Sequence, residues 1–129
     1  MVDNNETVDG FPGFWHPDEQ QGFTQLPHEL FDLMHRMSEP ELRVILYIFR
    51  HTWGFSEFSG LKKLTIDEFM HGRKRRDKTR IDNGTGLSDR GVKNGIADAL
   101  KHGYIVCEVD DSDLARIKKY YGIKIYKEQ

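Results

Sequence analysis

Apolar residues recur at helical spacing in segments between Pro27 and Gly103 and switch to period two after Gly103. Pro27 suits the first position of a helix, and Leu30, Phe31, Met34 and Met37 fall on one face, which predicts a helix over 28–36. Ser38 with Glu41 is a capping-box pattern, and Pro40 fits the first turn that follows. Leu42, Ile45, Leu46, Phe49 and Trp53 then predict a helix over 40–53, closed by Gly54, with Glu41, Arg43, Tyr47, Arg50 and His51 on its polar side. This helix is expected to be the structural spine, each buried Leu or Ile contributing roughly 1.5–3 kcal/mol. A connector with Gly60 follows, with a short extended piece expected at 61–64. Thr65 with Glu68 is a second capping-box pattern; Ile66, Phe69 and Met70 make an apolar face, and Gly72 stands where a helix ends, so a helix is expected over 65–71. Ser88 caps the next helix, expected over 88–102. Its stripe is Val92, Ile96, Ala99 and Leu100; Arg90, Lys93, Asn94, Ala97 and Lys101 face the other way. Residues 104–109 are β-branched and short, 110–113 (DDSD) is a turn, and 119–126 alternates, so an antiparallel hairpin is expected, with 114–119 either loop or strand.

A short capped helix, the turn Thr85-Gly86-Leu87-Ser88 and a second helix with a polar outer face read as a helix-turn-helix. With the hairpin after it, the expected fold is mainly α with a small β-hairpin (α+β), a winged helix-turn-helix. The turn is unusual. Where three or four residues are customary, residues 73–84 (RKRRDKTRIDNG) are inserted, with six basic residues, Arg73, Lys74, Arg75, Arg76, Lys78 and Arg80, against Asp77 and Asp82. So polar a segment belongs on the surface. Alone it would read as a solvated charge run or a nuclear-localisation-like tract. Placed just before a helix of base-contacting composition, it is expected to grip phosphates and to be poorly ordered without nucleic acid.

The formal net charge of −2 speaks against nucleic-acid binding until its distribution is considered. Residues 1–22 hold five acids and no Lys or Arg, which leaves +3 for the rest. That stretch is turn-rich and shows no sustained periodicity, so an acidic, partly disordered tail over 1–22 and a winged-helix domain over 23–129 are expected. Phe11, Phe14 and Trp15 interrupt the tail; they either pack back on the domain or dock a protein partner. The 129 residues suffice for one modest core. Cys107 is alone, no apolar run approaches the ~20 residues of a membrane span, and the N-terminus lacks a signal-peptide core, so a cytoplasmic chain with no membrane partner is expected. Six scattered histidines show no metal-ligand spacing, Gly84-Thr85-Gly86 lacks the context of a phosphate-binding loop, and no serine is marked as a nucleophile. A non-catalytic protein without cofactors follows as the expectation.

Phe23-Thr24-Gln25-Leu26-Pro27, then Glu41-Leu42-Arg43-Val44-Ile45-Leu46 running on to Arg50-His51-Thr52-Trp53-Gly54-Phe55, resembles the N-terminal domain of phage replication protein O. The likeness continues through Leu64-Thr65 and Thr85-Gly86-Leu87-Ser88 to Gly103-Tyr104-Ile105, and covers about 23–109. It implies a winged-helix origin binder, to which the 73–84 loop is an addition. The chain stops soon after the wing, so a stand-alone module or adaptor of a mobile element, or a fragment of a longer protein, is expected. On this reading double-stranded DNA is the partner. Arg90, Lys93, Asn94 and Lys101 of the recognition helix would meet bases or flanking phosphates, Arg73, Lys74, Arg75, Arg76, Lys78 and Arg80 the backbone, and Arg116, Lys118 and Lys119 of the wing further phosphates. A replication-initiation module, a transcriptional regulator and an accessory subunit of a larger nucleoprotein assembly, in which Phe11, Phe14 and Trp15 would do the binding, all share this pattern.

Overall fold

The computed structural model describes residues 8–18 and 22–126. Among them run α1 (His28–Leu33), α2 (Glu39–Thr52), β1 (Lys62–Lys63), α3 (Ile66–His71), α4 (Asp89–Lys101), β2 (Ile105–Asp110) and β3 (Lys118–Ile123), an α+β arrangement. Single 3-10 turns, Met34–Arg36 and Trp53–Phe55, prolong α1 and α2. The caps explain the helix starts. Ser88 Oγ accepts the Gly91 amide at 3.1 Å. Thr65 Oγ1 accepts the Glu68 amide at 3.1 Å while Glu68 Oε1 accepts the Thr65 amide at 3.0 Å, a complete capping box. At α2 only half of the expected box forms. Ser38 Oγ accepts the Glu41 amide at 3.3 Å, but the Glu41 carboxylate is buried and bonds His102 Nδ1 at 2.6 Å instead.

α2 is the spine, but its buried face is not the expected one. Val44, Ile45, Ile48 and Phe49 are buried, and with them Glu41, Tyr47, His51 and Thr52. Leu46, expected in the core, is 37% exposed, and Leu42 and Trp53 are only partly buried. The helix packs against α4, β1 and β3, so it is enclosed on most sides and only Arg43, Leu46 and Arg50 of its middle turns reach solvent. On α4, Val92, Ile96 and Ala99 are buried as expected, whereas Leu100 is exposed and Gly95 takes a place in the seam. A Cβ at Gly95 would lie 2.5 Å from the Pro40 carbonyl oxygen, so the missing side chain is what lets α4 meet the start of α2. On α1, Leu30 is buried while Phe31, the next residue of the same helix, and Met34, in the 3-10 turn that follows, are exposed.

The sheet is antiparallel in the order β1-β3-β2. Ile105 stands opposite Ile123 and Cys107 opposite Tyr121, while β1 pairs Lys62 with Tyr121. Tyr121 is buried, its ring 5.4 Å edge-on from Phe69, which in turn lies 5.4 Å from Tyr47. That line of rings joins sheet, α3 and α2 into one core. The N-terminal aromatics do not join it: Phe14 is 94% and Trp15 69% exposed, and among the described residues the one aromatic ring paired with Phe11 is Phe14, at 5.0 Å. Packing back on the domain is thereby corrected; the part of the tail expectation that concerns residues 1–7 and 19–21 lies outside the described residues. Among the described residues no helix is long and apolar enough to cross a membrane.

Candidate nucleic-acid interface

Helical periodicity sorts the side chains of α4. With Val92, Ile96 and Ala99 turned inward, Arg90, Lys93, Asn94, Ala97 and Lys101 are all exposed along one outer face. Lys93 is braced by Asp89 one turn earlier at 2.8 Å. Among the described residues the side chains of Arg90, Asn94 and Lys101 enter no hydrogen bond or ion pair, so apart from Ala97 the face is a row of donors and cations.

The 73–84 segment is not the unanchored loop expected of its charge. It folds into a hairpin. Lys74 and Arg80 form a β-bridge; the Ile81 amide donates to Arg73 O at 2.7 Å and the Arg75 amide to Thr79 O at 2.7 Å. The tip is a turn closed by Lys78 N–H to Arg75 O at 3.0 Å, with Lys78 itself at φ 75, the geometry of a three-residue hairpin loop. Asp77 Oδ1 accepts both the amide of Thr79 at 2.9 Å and its hydroxyl at 2.6 Å, and these bonds hold the Asp77 carboxyl below its ordinary pKa. The six cations divide accordingly. Arg73 pairs with Glu68 at 3.2 Å, and Arg80 with Asp67 at 3.5 Å and with the Gly72 carbonyl. Lys74, Arg75, Arg76 and Lys78 are exposed and enter no ion pair among the described residues.

What holds the hairpin is its second acid. Asp82 and His51 side chains are each 1% exposed and meet at 3.0 Å, His51 Nε2–H donating to Asp82 Oδ2. The Tyr47 hydroxyl donates to the same oxygen at 3.3 Å and the Gly84 amide to Oδ1 at 2.7 Å. Burial raises the Asp82 pKa, but the Gly84 amide, the His51 ring and the Tyr47 hydroxyl outweigh it and hold the carboxyl below its ordinary value. Burial also pushes the Tyr47 phenol up, aided by the Asp82 charge, and pulls His51 below its ordinary value despite the carboxylate beside it. The neutral Nε2–H tautomer fits this balance; Nδ1 is buried with no partner among the described residues, so a second proton there would find no acceptor among them. Sequence periodicity gave no hint of this cluster, since it set Tyr47 and His51 on the solvent side. The contacts bridge 31 and 35 residues.

Residues 111–117 join β2 to β3; Arg116 is exposed in this connection, and Lys118 and Lys119 are exposed at the start of β3, opposite Asp110 and Val109. Asp111 and Asp113 share the same exposed connection, so the β2–β3 turn carries mixed charge, unlike the hairpin tip. Among the described residues no three His, Cys, Asp or Glu side chains converge as metal ligands would. Compared with known proteins, the chain matches no family model, no curated protein and no solved structure.

Proposed function

We propose that this chain is a winged-helix module that binds double-stranded DNA without chemistry of its own, of the kind that initiates replication on a phage or mobile element. One observation carries the reading: the exposed cations of the hairpin tip are rooted in the turn that leads directly into the exposed polar face of α4. A helix of this width fits the major groove, and cations beside its first turn would fall on the flanking phosphates. The order of helices and the β1-β3-β2 sheet support the winged-helix assignment. In this reading Arg90, Lys93 and Asn94 face base edges, the hairpin grips phosphate, and the mixed-charge wing contributes least.

The test is binding of a labelled duplex across a salt series. Changing Lys74, Arg75, Arg76 and Lys78 together to Ala should flatten the slope of log K against log salt by about three to four, at about 0.9 per lost phosphate contact. Random and preferred sequences should lose affinity alike. Alanine at Asn94 should instead relax preference at one or two positions, costing ~1–3 kcal/mol there. A chain with no measurable affinity for any free duplex refutes the reading. That result would favour the accessory-subunit alternative, which the exposure of Phe14 and Trp15 supports.

A further inference from the structure

The α4 face and the hairpin leave one cationic surface unused. Of α2, enclosed on most sides, Arg43, Leu46 and Arg50 reach solvent as a stripe at i, i+3 and i+7. A shallow cleft runs beside that stripe, walled by Tyr47 from α2 and by Gly84 and Thr85 from the segment between hairpin and α4. Arg43 is preset within it: one guanidinium nitrogen donates to the Thr85 carbonyl at 2.8 Å and another meets Glu39 at 2.8 Å. Arg50 enters no ion pair among the described residues and is near enough for its charge to bear on both Asp82 and His51. The one acid of the hairpin root, Asp82, is turned inward and buried, so its carboxylate does not face the cleft.

We propose that this cleft between α2 and the hairpin root is a phosphodiester-binding site, with Arg50 as its principal cation, Arg43 as a fixed second donor and Leu46 as an apolar floor for the sugar. The proposal rests on the duplex-binding reading above and extends the contact surface to α2. Three features select a sugar-phosphate backbone. The charge is positive and the free cation is a guanidinium, whose fork matches phosphate oxygens. An exposed leucine between two arginines suits an amphipathic ligand better than a bare anion. The wall residues Gly84 and Thr85 lead straight into α4, so a strand seated here borders the groove that α4 would occupy. Glu39 already neutralises part of the Arg43 charge, which leaves Arg50 to carry the effect.

The experiment compares the full chain with Arg50→Gln and Arg50→Lys in the labelled-duplex salt series. Arg50→Gln should leave the thermal melt unchanged, because the side chain is exposed, and should flatten the salt slope by about 0.9, the value of one phosphate contact. Preference among duplex sequences should not change. Arg50→Lys should restore the slope, since lysine still offers a point charge to phosphate. A slope for Arg50→Gln equal to that of the unaltered chain, while the hairpin variant still flattens it, overturns the α2 site and leaves the duplex reading standing. An unaltered chain that binds no duplex overturns both.

Discussion

Removing the Asp82 carboxylate should detach the hairpin and cost a large share of the stability of the domain. Three donors depend on it: the Tyr47 hydroxyl, His51 Nε2–H and the Gly84 amide. Each buried donor left without an acceptor costs about 1–3 kcal/mol. The Gly84 amide is only partly buried and can recruit water, so its share is small. For Asp82→Ala the expected loss is about 3–5 kcal/mol, in line with breaking a buried pair from one side. Asp82→Asn keeps the volume and one acceptor oxygen and should cost about 1–2 kcal/mol. Urea unfolding at pH 7, followed by tryptophan fluorescence, measures both. A loss below about 1 kcal/mol for Asp82→Ala would mean that the three donors find other partners, and the anchoring role would be refuted. The pH dependence has a definite sign. His51 is depressed below its ordinary 6.5, so the unfolded chain takes up that proton first, and the stability tied to neutral His51 is full above about 6.5 and declines as pH falls. Asp82 is depressed below 3.8, so its contribution is present above that value and is lost on further acidification through its lower folded value. Both effects weaken the fold toward acid. His51→Gln should remove the first decline and leave the second.

Two further substitutions test the packing. Ile45→Ala should destabilise by about 2–5 kcal/mol, whereas the exposed Leu46→Ala should cost less than about 1 kcal/mol, and thermal melts of equal midpoint would mean that the face of α2 is misassigned. Gly95→Ala gains helix propensity worth up to ~1 kcal/mol but places a methyl 2.5 Å from Pro40 O; a net loss of about 1–3 kcal/mol is expected by urea unfolding, and a gain would show that α2 and α4 can separate without penalty.

The boundaries of the elements were legible because they depend on neighbours in sequence. Thr65 with Glu68, and Ser88 with Gly91, are contacts three residues apart, so cap and helix start can be read together. The face of α2 was not legible, because amphipathic logic assigns polar side chains to water. Glu41, Tyr47 and His51 break that rule, and each does so through a partner far along the chain: His102 for Glu41, Asp82 for the other two. A buried polar group is tolerable only with such a partner. Nothing local to α2 announces one. Leu46 errs in the opposite direction for the same reason. An enclosed helix leaves a narrow solvent stripe, and the stripe here falls on Arg43, Leu46 and Arg50 rather than on the most polar residues. The candidate DNA residues on α4 were easier to place, since that helix is buried on one side only. Leu100 and Gly95 still exchanged roles, because the close approach to Pro40 is a property of the pair of helices.

The 73–84 hairpin leaves and rejoins the domain between α3 and α4, and the residues at its ends fix how it does so. Gly72 and Gly84 both have positive φ, 99 and 71, and a Cβ on Gly84 would lie 2.6 Å from the Gly72 amide nitrogen, while one on Gly72 would collide with the Asp82 carbonyl. The two arms of the hairpin therefore touch backbone to backbone at its neck, which only glycine permits. Directly beyond, the Thr85 amide and hydroxyl both donate to Phe69 O at 2.7 Å, tying the returning chain to α3. Residues 85–88 thus start beside the end of α3 although residues 72–84 separate them from it in the chain. The neck fixes where the hairpin leaves the domain, and the Asp82 contacts with Tyr47 and His51 fix which way it leans, against α2. Four unpaired cations carried on a hairpin held at two places lose less freedom on meeting a phosphate backbone than the same four on a slack loop. On the DNA-binding reading, the buried Asp82 serves the exposed cations by reducing the backbone entropy lost at the moment of contact, and that would be the physical reason for burying a carboxylate in a mostly cationic segment.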